Sequence, residues 1–487
     1  MKRLAAIVLL LALILGFSGC TVPDPNIRPV ASGETDYIDA GDLPAQTEET
    51  SHGESLTDST ASGEAEASTA SRTSASATGQ SATHPSGGTS AGSKATSSRT
   101  LSTGSAPTTG STAGSTTVVT PPAVTSEFRG VWISYIELGR LLNGKTVAQA
   151  KAAIDTVMES SRSYGLNAVI FHVRANSDAY YKSTLFPAAD AAKNLLGAGF
   201  DPLAYAVEAA HGRGLELHAW VNPYRIGDKI ANKRCEDYFQ SGGRYYYVPT
   251  SDKAKKLILD GVRELLQYDI DGIHFDDYFY PSVSKNEPEA FEKADYENYK
   301  KAAGAGAMLL EDWRRSHVDA LIAGAYSAVH QKKGCVFGVS PRHSYEENYA
   351  SLYADTKKWL AQSGYVDYLC PQIYFGFEHP TAAFTKMVDQ WLSFPRASTV
   401  QLYVGLGLYK TGIDCDTYAG DAKDEWKNHT DIMKRSVQYL QGKKNCGGFV
   451  FYSYTFFDPA TKRDSSYNVQ TASKEIANLL SVLRKEQ

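Results

Sequence analysis

The chain has 487 residues, a formal net charge of −5 at pH 7 and a hydrophobic fraction of 42%. This small negative charge provides no basic surface for nucleic acid or for an anionic membrane. The length suggests two or three domains, although some single domains take about 250 residues or more. The 30 tyrosines and 6 tryptophans suit surfaces that stack on sugar rings, and equally an aromatic rim that only packs.

The first twenty residues predict an export signal. Two basic residues precede an apolar run that is too short for a comfortable membrane span. The motif Phe17-Ser18-Gly19-Cys20 then resembles a bacterial lipobox, whose cysteine is acylated, typically with palmitate. We therefore predict a lipoprotein signal peptide over 1–20 and a lipid anchor on Cys20, at the extracytoplasmic face of the bacterial cell membrane. Phe17 replaces the usual leucine, so an ordinary signal peptide is the alternative.

Residues 21–126 are dominated by Ser, Thr, Gly and Ala. Such a segment buries too little apolar surface to offset its ordering entropy, so we predict a disordered linker. A flexible coil of this length spans about 50–60 Å on average. The composition changes abruptly after Pro121-Pro122, and we predict one folded domain over 127–487.

The remaining cysteines follow no recognised pattern of spacing. They are five in number: Cys235, Cys335, Cys370, Cys415 and Cys446. An odd set without CxxC spacing indicates neither a zinc site nor a disulfide framework. Strand-like surroundings predict that Cys335, Cys370 and Cys446 are core residues, while a pairing of Cys235 with Cys415 stays open.

A repeating unit of a short apolar strand, a turn and an amphipathic helix fills the predicted domain. The strand-like runs are 128–135, 168–174, 216–222, 272–277, 336–340, 368–374, 400–406 and 448–454, with helical patterns such as 147–163, 202–213, 252–268 and 431–441. This alternation indicates parallel strands joined by right-handed crossovers. Eight repeats predict an α/β fold closed into a (β/α)8 TIM barrel. No GxGxxG or Walker loop follows a strand, which argues against nucleotide binding.

Polar and aromatic side chains gather where these predicted strands end. They include Ser134, Arg174, Asn176, Asp178, Trp220, Asn222, Arg225, Asp276, Asp277, Tyr278, Arg342, His343, Gln372, Tyr374, Tyr409, Tyr452 and Tyr454. Any one of them is compatible with an ordinary strand end. Because the carboxyl ends of barrel strands meet at one face and carry the chemistry there, their recurrence predicts a functional site at that face.

The fourth predicted strand carries the strongest signal. Alternation places His274 and Asp276 towards the barrel interior and Ile273 and Phe275 towards the helices. Asp277 follows where the strand ends. Two adjacent carboxylates can serve one sugar, one by stabilising positive charge and the other by holding the proton of a general acid. A turn cap, or neutralisation of Asp276 by an arginine such as Arg174, is the structural alternative.

Five segments in register resemble the family 10 glycosyl hydrolase-like lipoproteins of the bacterial envelope. They are 127–132 (EFRGVW), 172–179 (HVRANSDA), 219–225 (AWVNPYR), 271–281 (DGIHFDDYFYP) and 371–374 (PQIY). The resemblance implies a (β/α)8 barrel and extracytoplasmic glycosidase activity. Some members cleave peptidoglycan glycan strands stripped of their peptides, between N-acetylmuramic acid and N-acetylglucosamine, and it implies such a polysaccharide as the partner.

The similar chitinase-type pattern DGxDxDxE is only partly present. Alignment on Asp271-Gly272 puts Asp276 on the last Asp of that pattern, but Tyr278 stands where the acidic Glu is required. We therefore expect substrate-assisted cleavage, in which Asp276 orients a 2-acetamido group and Asp277 is the acid. Direct attack by Asp276, with Asp178 or Glu378 as its partner, is the competing scheme.

Three histidines raise the question of a metal. His172, His218 and His274 take comparable inward positions on the second, third and fourth strands. Their spacing matches no metal motif, so we expect a hydrogen-bonded polar layer below the carboxylates, with no metal and no cofactor.

The other candidates fit a sugar site. Trp220 and Tyr278 are predicted as platforms for a pyranose ring, and Arg342 with His343 as a binding pair for a carboxylate such as that of muramic acid. The remaining predicted substrate contacts are Arg174, Asp178, Asn222, Gln372 and Tyr374.

Two other classes of function stay open. A catalytically silent glycan-binding lipoprotein would use the same barrel and linker, and would bind glycan without releasing product. A metal-dependent polysaccharide deacetylase would release acetate, but no His-x-x-x-His motif accompanies the carboxylates.

Overall fold

A computed structural model describes residues 126–281, 283–461 and 466–484. Its strands in chain order are β1 Phe128–Ile133, β2 Ala168–Arg174, β3 Glu216–Val221, β4 Arg225–Gly227, β5 Tyr238–Ser241, β6 Arg244–Tyr247, β7 Gly272–Phe275, β8 Val336–Val339, β9 Tyr368–Leu369, β10 Gln401–Leu406 and β11 Gly448–Phe451. Eight of them pair in parallel and close into a barrel, in the order β1-β11-β10-β9-β8-β7-β3-β2. The predicted (β/α)8 barrel is confirmed.

Helices follow the barrel strands along the chain. The α-helices are Tyr135–Leu142, Val147–Ser163, Asp190–Gly197, Pro202–His211, Asp252–Leu265, Lys293–Ala303, Leu310–Val329, Tyr345–Ala350, Thr356–Ala361, Phe384–Ser393, Glu425–Asn428, Ile432–Gln441 and Val469–Leu483. Short 3-10 turns lie at Ile230–Asn232, Gly304–Gly306, Leu408–Lys410, Gly420–Ala422 and Tyr454–Phe457. Side-chain caps fix several helix starts: Asp201 accepts hydrogen bonds from the backbone N–H groups of Leu203 and Ala204, next to a proline at the first helical position.

Six of the eight predicted strands extend past the observed ones at their carboxyl ends, whereas the runs 168–174 and 400–406 end as predicted. The run 368–374 contains a strand of only two residues, Tyr368–Leu369, and 272–277 ends as a strand at Phe275. Beyond these points Gln372 makes isolated bridges to Arg342 and to Gly405. The predicted strands are too long because the alternation of apolar and polar residues continues into the loops that carry the polar side chains.

One element was not predicted. Strands β4, β5 and β6 form a three-stranded antiparallel sheet in the order β4-β6-β5, inserted between β3 and the helix Asp252–Leu265. Each of these strands has three or four residues, and β5 is largely half-buried. Such short segments carry too little alternation to be recognised from the sequence.

The C-terminal helix Val469–Leu483 packs beside the helix Ile432–Gln441. Its Leu483 carbonyl accepts a hydrogen bond from Arg129 Nη1 of β1 at 3.3 Å, so the helix lies where the first and last barrel strands meet. Cys335, Cys370 and Cys446 are buried as predicted, and Cys235 and Cys415 are free thiols.

The predictions for 1–20, including Cys20, and for nearly all of 21–126 lie outside the described residues. Within the described ranges, no helix has both the length and the apolar character needed to cross a membrane.

Candidate active site

The two predicted carboxylates lie at the carboxyl end of β7 and are almost completely buried. Asp276 is 4% exposed and Asp277 is 1% exposed. The backbone N–H of Asp277 donates to Asp276 Oδ1 at 2.9 Å, so one carboxylate is oriented by the peptide of the other. Buried carboxylates at this end of a barrel strand occupy the position where TIM barrels carry out chemistry.

Asp276 is held from the opposite side by Gln372, which follows β9. Gln372 Nε2 donates to Asp276 Oδ1 at 3.2 Å and to the Ser340 carbonyl oxygen at 3.0 Å. Tyr374, two residues after Gln372, stacks on Tyr452 with 5.8 Å between ring centroids, and burial raises the pKa of its phenol well above the usual range. The structure thus brings the predicted residues Asp276 and Gln372 into contact.

Asp277 forms an ion pair with Arg342, which follows β8. Arg342 Nε lies 2.9 Å from Asp277 Oδ2, and Arg342 Nη1 also pairs with Glu347. The arginine side chain is 23% exposed, whereas that of Asp277 is 1% exposed. The guanidinium thus occupies Asp277 Oδ2, so this contact must open before Asp277 can act as the predicted acid.

Inward-facing side chains of the barrel form a chain of hydrogen bonds next to the carboxylates; we call this layer the floor of the site. Trp132 Nε1, which can only donate, lies 3.2 Å from His274 Nε2, so Nε2 is the acceptor and Nδ1 carries the hydrogen. His274 Nδ1 and His218 Nδ1 each lie 2.9 Å from the hydroxyl of Tyr368. The order of donation is therefore Trp132 to His274 to Tyr368, and Ser340 Oγ lies 3.0 Å from the same His274 Nε2. Burial lowers the pKa of His274 well below its usual value, so this ring is neutral.

The third inward histidine belongs to a stacked pair. The ring of His172 lies parallel to that of Trp220, with 3.6 Å between centroids, and burial lowers its pKa well below the usual range. Trp220 Nε1 donates to Asn222 Oδ1 at 3.1 Å. Among residues 126–281, 283–461 and 466–484, no group of three His, Cys, Asp or Glu side chains is arranged to hold a metal ion.

The expected platform role of Trp220 requires correction. Trp220 is 2% exposed and the imidazole of His172 covers one face of its indole, so the ring belongs to the floor. Asn222, also 2% exposed, serves as the acceptor for this indole. Tyr278 remains half-buried, with the guanidinium of Arg225 at 5.2 Å from the centre of its ring.

Arg174 also departs from its predicted place. The pairing of β2 with β3 shifts register between His172 and Arg174, as in a β-bulge, so strict alternation fails there. The guanidinium lies 4.2 Å from the ring centre of Phe186, and a Cβ at Gly261 of the helix Asp252–Leu265 would collide with it. Arg174 therefore faces the surrounding helices and does not neutralise Asp276.

His343 follows Arg342 but does not act as a second cation. Its ring packs edge-on against Phe375, with centroids 4.7 Å apart. Burial, together with the nearby Arg342, His379 and Lys410, lowers the pKa of His343 to about 4. At neutral pH it can meet a carboxylate only as a neutral hydrogen-bond donor.

Asp178 lines a separate recess at the same end of the barrel. This cavity of about 350 Å³ is bounded by Tyr135, Asn143, Asp178, Tyr180 and Asp190, among others. Burial raises the pKa of Asp178 from 3.8 to about 6, and Asp190 adds to the effect. Glu378, the other proposed partner of Asp276, has a side chain 55% exposed and lies 3.3 Å from His429.

We expect Asp178→Asn to stabilise the protein at pH 7.5 but not at pH 4. Because the folded-state pKa lies above the ordinary value, the contribution of this group to stability is complete below about pH 4 and is lost as the pH rises to about 6. Thermal unfolding should show a higher Tm for the variant at pH 7.5, by about 2–4 °C for each kcal/mol of relieved burial.

The matched control is Asp190→Asn, since the Asp190 side chain is 77% exposed and pairs with Lys229. Because Asp190 is only the second cause of the raised pKa of Asp178, after burial, its replacement should give a smaller gain in Tm at pH 7.5. An equal gain at both pH values for Asp178→Asn would contradict the explanation by burial.

Glu347 also belongs to the contacts of the site, although it is not among the residues predicted from the sequence. It lies in the first turn of the helix Tyr345–Ala350, and its backbone N–H bonds to Ser344 Oγ, as in an ordinary helix cap. The Ser-x-x-Glu spacing is the signature of a capping box, which gives this glutamate a structural explanation. Its carboxylate instead shares Arg342 with Asp277.

Comparison with known proteins gives concordant matches. Residues 127–419 match the family described as Glycosyl hydrolase-like 10. The chain is 32% identical over 353 residues to the glycosyl hydrolase YngK of Bacillus subtilis (65% of this chain, 67% of the relative). It is 29% identical over 368 residues to the glycosyl hydrolase DigH of Escherichia coli K12 (64% and 82%).

Among solved structures, the PgaB (BpsB) glycoside hydrolase domain from Bordetella bronchiseptica matches with a TM-score of 0.49 and 12% identity, over 74% of this chain and 100% of that domain. The family match covers more than half of the chain and includes the β7 carboxylates. This chain belongs to the Glycosyl hydrolase-like 10 family.

Proposed function

We propose that this protein is a glycoside hydrolase that cleaves an envelope polysaccharide, namely peptidoglycan glycan strands whose peptides have been removed. The observation that carries the proposal is the buried pair Asp276 and Asp277, one carboxylate held by an amide and the other by a guanidinium. Membership of the family supports the class of reaction.

In this mechanism Asp276 stays ionised and faces the sugar on the non-reducing side of the cleaved bond. Two donors on Oδ1, the Gln372 amide and the Asp277 backbone N–H, favour its charged form and fix its orientation. The carboxylate would accept the N–H of a 2-acetamido group. The acetamido oxygen would then attack the anomeric carbon and form a cyclic oxazolinium intermediate.

Asp277 is the proposed proton donor. Once Arg342 has left it, Asp277 would take up a proton from solvent and transfer it to the glycosidic oxygen as the bond from that oxygen to the anomeric carbon breaks. It would then recover a proton from the water whose hydroxyl adds to the anomeric carbon and opens the oxazolinium. The ion pair with Arg342 must be weakened for this to happen. Glu347 already shares the guanidinium of Arg342 with Asp277. Because the arginine side chain is 23% exposed, an anion of the substrate can compete for it.

The chemistry of Arg342 also suggests why the strands must lack peptides. In intact peptidoglycan the lactyl group of muramic acid is linked to the peptide as an amide, which carries no charge. Removal of the peptide exposes a carboxylate, the group that a guanidinium binds best. Arg342 would bind this carboxylate and give up its ion pair with Asp277. Only a strand without peptides would therefore free Asp277 to act as the acid.

We further propose that the chain acts outside the cytoplasm, tethered to the membrane by a lipid on Cys20 and by the linker 21–126. The lipobox-like motif and the composition of the linker support this proposal. Incorporation of a labelled palmitate analogue that disappears in Cys20→Ala tests it.

Mass analysis of the products from peptidoglycan with and without prior peptide removal tests the proposed activity. We expect soluble fragments only from stripped strands, with one water gained in total for each bond cleaved. Binding without fragments would favour a silent glycan-binding protein, and release of acetate would favour a deacetylase. Equal cleavage of both substrates would contradict the proposed selectivity.

A further inference from the structure

Phe279 and Tyr280, two and three residues after Asp277, anchor the backbone that follows the two carboxylates. Phe279 and Tyr280 are each 1% exposed. The ring of Phe279 packs edge-on against Trp359 at 5.6 Å, and that of Tyr280 packs edge-on against Tyr353 at 4.9 Å. The placement of Asp277 therefore depends on contacts made by the loop that follows β7.

A fully buried ion pair lies behind Tyr280. The side chains of Arg314, in the helix Leu310–Val329, and of Glu292 are both 0% exposed. Arg314 Nε donates to Glu292 Oε1 at 2.9 Å, and the hydroxyl of Tyr280 donates to Glu292 Oε2 at 3.3 Å. The glutamate thus connects the helix to the residue three positions after Asp277.

The same guanidinium also joins the loops that follow β7 and β8. Arg314 Nη1 donates to the Ser284 carbonyl oxygen at 2.6 Å in the first loop and to the Tyr353 hydroxyl at 2.6 Å in the second. Tyr353 has a φ of 53°, an uncommon backbone conformation that persists only where its surroundings enforce it. These are the two loops that Asp277 and Arg342 connect at the site itself.

A buried ion pair is a poor means of gaining stability, because desolvation offsets most of the attraction. Apolar residues of similar size would serve packing alone equally well. The directional bonds of Arg314 to Glu292, Ser284 and Tyr353 instead define one relative position of the two loops.

We propose that Arg314 and Glu292 are positioning residues, which hold the loops after β7 and β8 so that Asp276, Asp277 and Arg342 keep their mutual geometry. This inference rests on the proposed glycosidase function. It predicts that loss of the pair lowers kcat by a larger factor than it raises KM.

The test compares Arg314→Met, Glu292→Met and the double variant with wild type on peptide-stripped glycan strands. The double variant is included because each single change leaves one buried charge unpaired, whereas the double variant leaves none. It still leaves the Ser284 carbonyl and the hydroxyls of Tyr280 and Tyr353 without these partners. We expect the double variant to have a higher Tm than either single variant but to lose about 10–100-fold in kcat, with KM changed less than about threefold.

Glu475→Met is the matched control, because it also removes a buried carboxylate but lies on the C-terminal helix Val469–Leu483. Glu475 is 1% exposed and accepts a hydrogen bond from the Met433 backbone N–H at 2.5 Å, away from the loops after β7 and β8. It should lower Tm and leave kcat within about threefold of wild type.

A double variant with wild-type kcat would overturn the inference, as would an equal loss of kcat in Glu475→Met. If the double variant does not fold, Arg314→Lys replaces it, with partial retention of kcat expected and full retention counting against the inference. Wild-type protein that releases no fragments would reject the proposed function instead, so the two failures are distinguishable.

Discussion

Asp276→Asn is expected to lower kcat on peptide-stripped glycan strands by about 10²–10⁴-fold, the range seen when a positioned acid or base is removed. Asparagine has nearly the same shape, so the packing against Gln372 and Ser340 should survive. It cannot carry the negative charge that opposes the positive charge developing at the anomeric carbon. Reducing-end release under saturating substrate measures the effect.

The control for this substitution lies at the other end of the same strand. Asp271 accepts a hydrogen bond from the Leu217 backbone N–H at 2.7 Å and lies 2.9 Å from His211 Nε2, remote from the carboxyl ends of the strands. Asp271→Asn should retain kcat within about threefold, because the change does not touch the site. Activity of Asp276→Asn within fivefold of wild type would remove Asp276 from the mechanism.

The second large effect concerns the choice of substrate. Wild type should prefer stripped strands with a free lactyl carboxylate over strands whose carboxyl has been chemically reduced to an alcohol, by about 10–100-fold in kcat/KM, since a charge-assisted hydrogen bond contributes about 1.5–3 kcal/mol. Arg342→Gln should lose this preference while its fold stays intact. Competition kinetics on a mixture of both substrates gives the ratio directly.

Arg342→Lys serves as the charge-retaining comparison. Lysine keeps the cation but not the planar fork, so we expect it to keep part of the preference. A full preference in Arg342→Gln would show that another group recognises the carboxylate. His343 is the neighbour to examine then, although burial lowers its pKa to about 4 and keeps it neutral.

The barrel could be predicted from the sequence because its strands repeat a local signal. The second strand was predicted with its observed bounds, 168–174, and the helix over 147–163 likewise. Alternation along the strand also predicted that His274 points into the barrel. Its hydrogen bonds with Trp132 and Tyr368 confirm this orientation. The bulge near Arg174 could not be predicted, because the alternation of residues along one strand does not reveal a register shift relative to the neighbouring strand.

The contacts of the site depend on distances along the chain that no local pattern encodes. Asp277 and Arg342 are 65 positions apart, and Gln372 reaches Asp276 across 96. Their residue types were recognised as strand-end candidates, but which of them pair was not. The burial of Trp220 was equally hidden, because the stacking imidazole of His172 belongs to another strand.

The floor of the site has one further consequence. The indole of Trp132 can never accept a hydrogen bond, so the ring nitrogen of His274 that it contacts carries no hydrogen. If Trp132 were replaced by a side chain that cannot donate, that nitrogen could carry a hydrogen and donate it to Ser340 Oγ. The indole of β1 therefore selects the tautomer of a histidine on β7, two residues before Asp276.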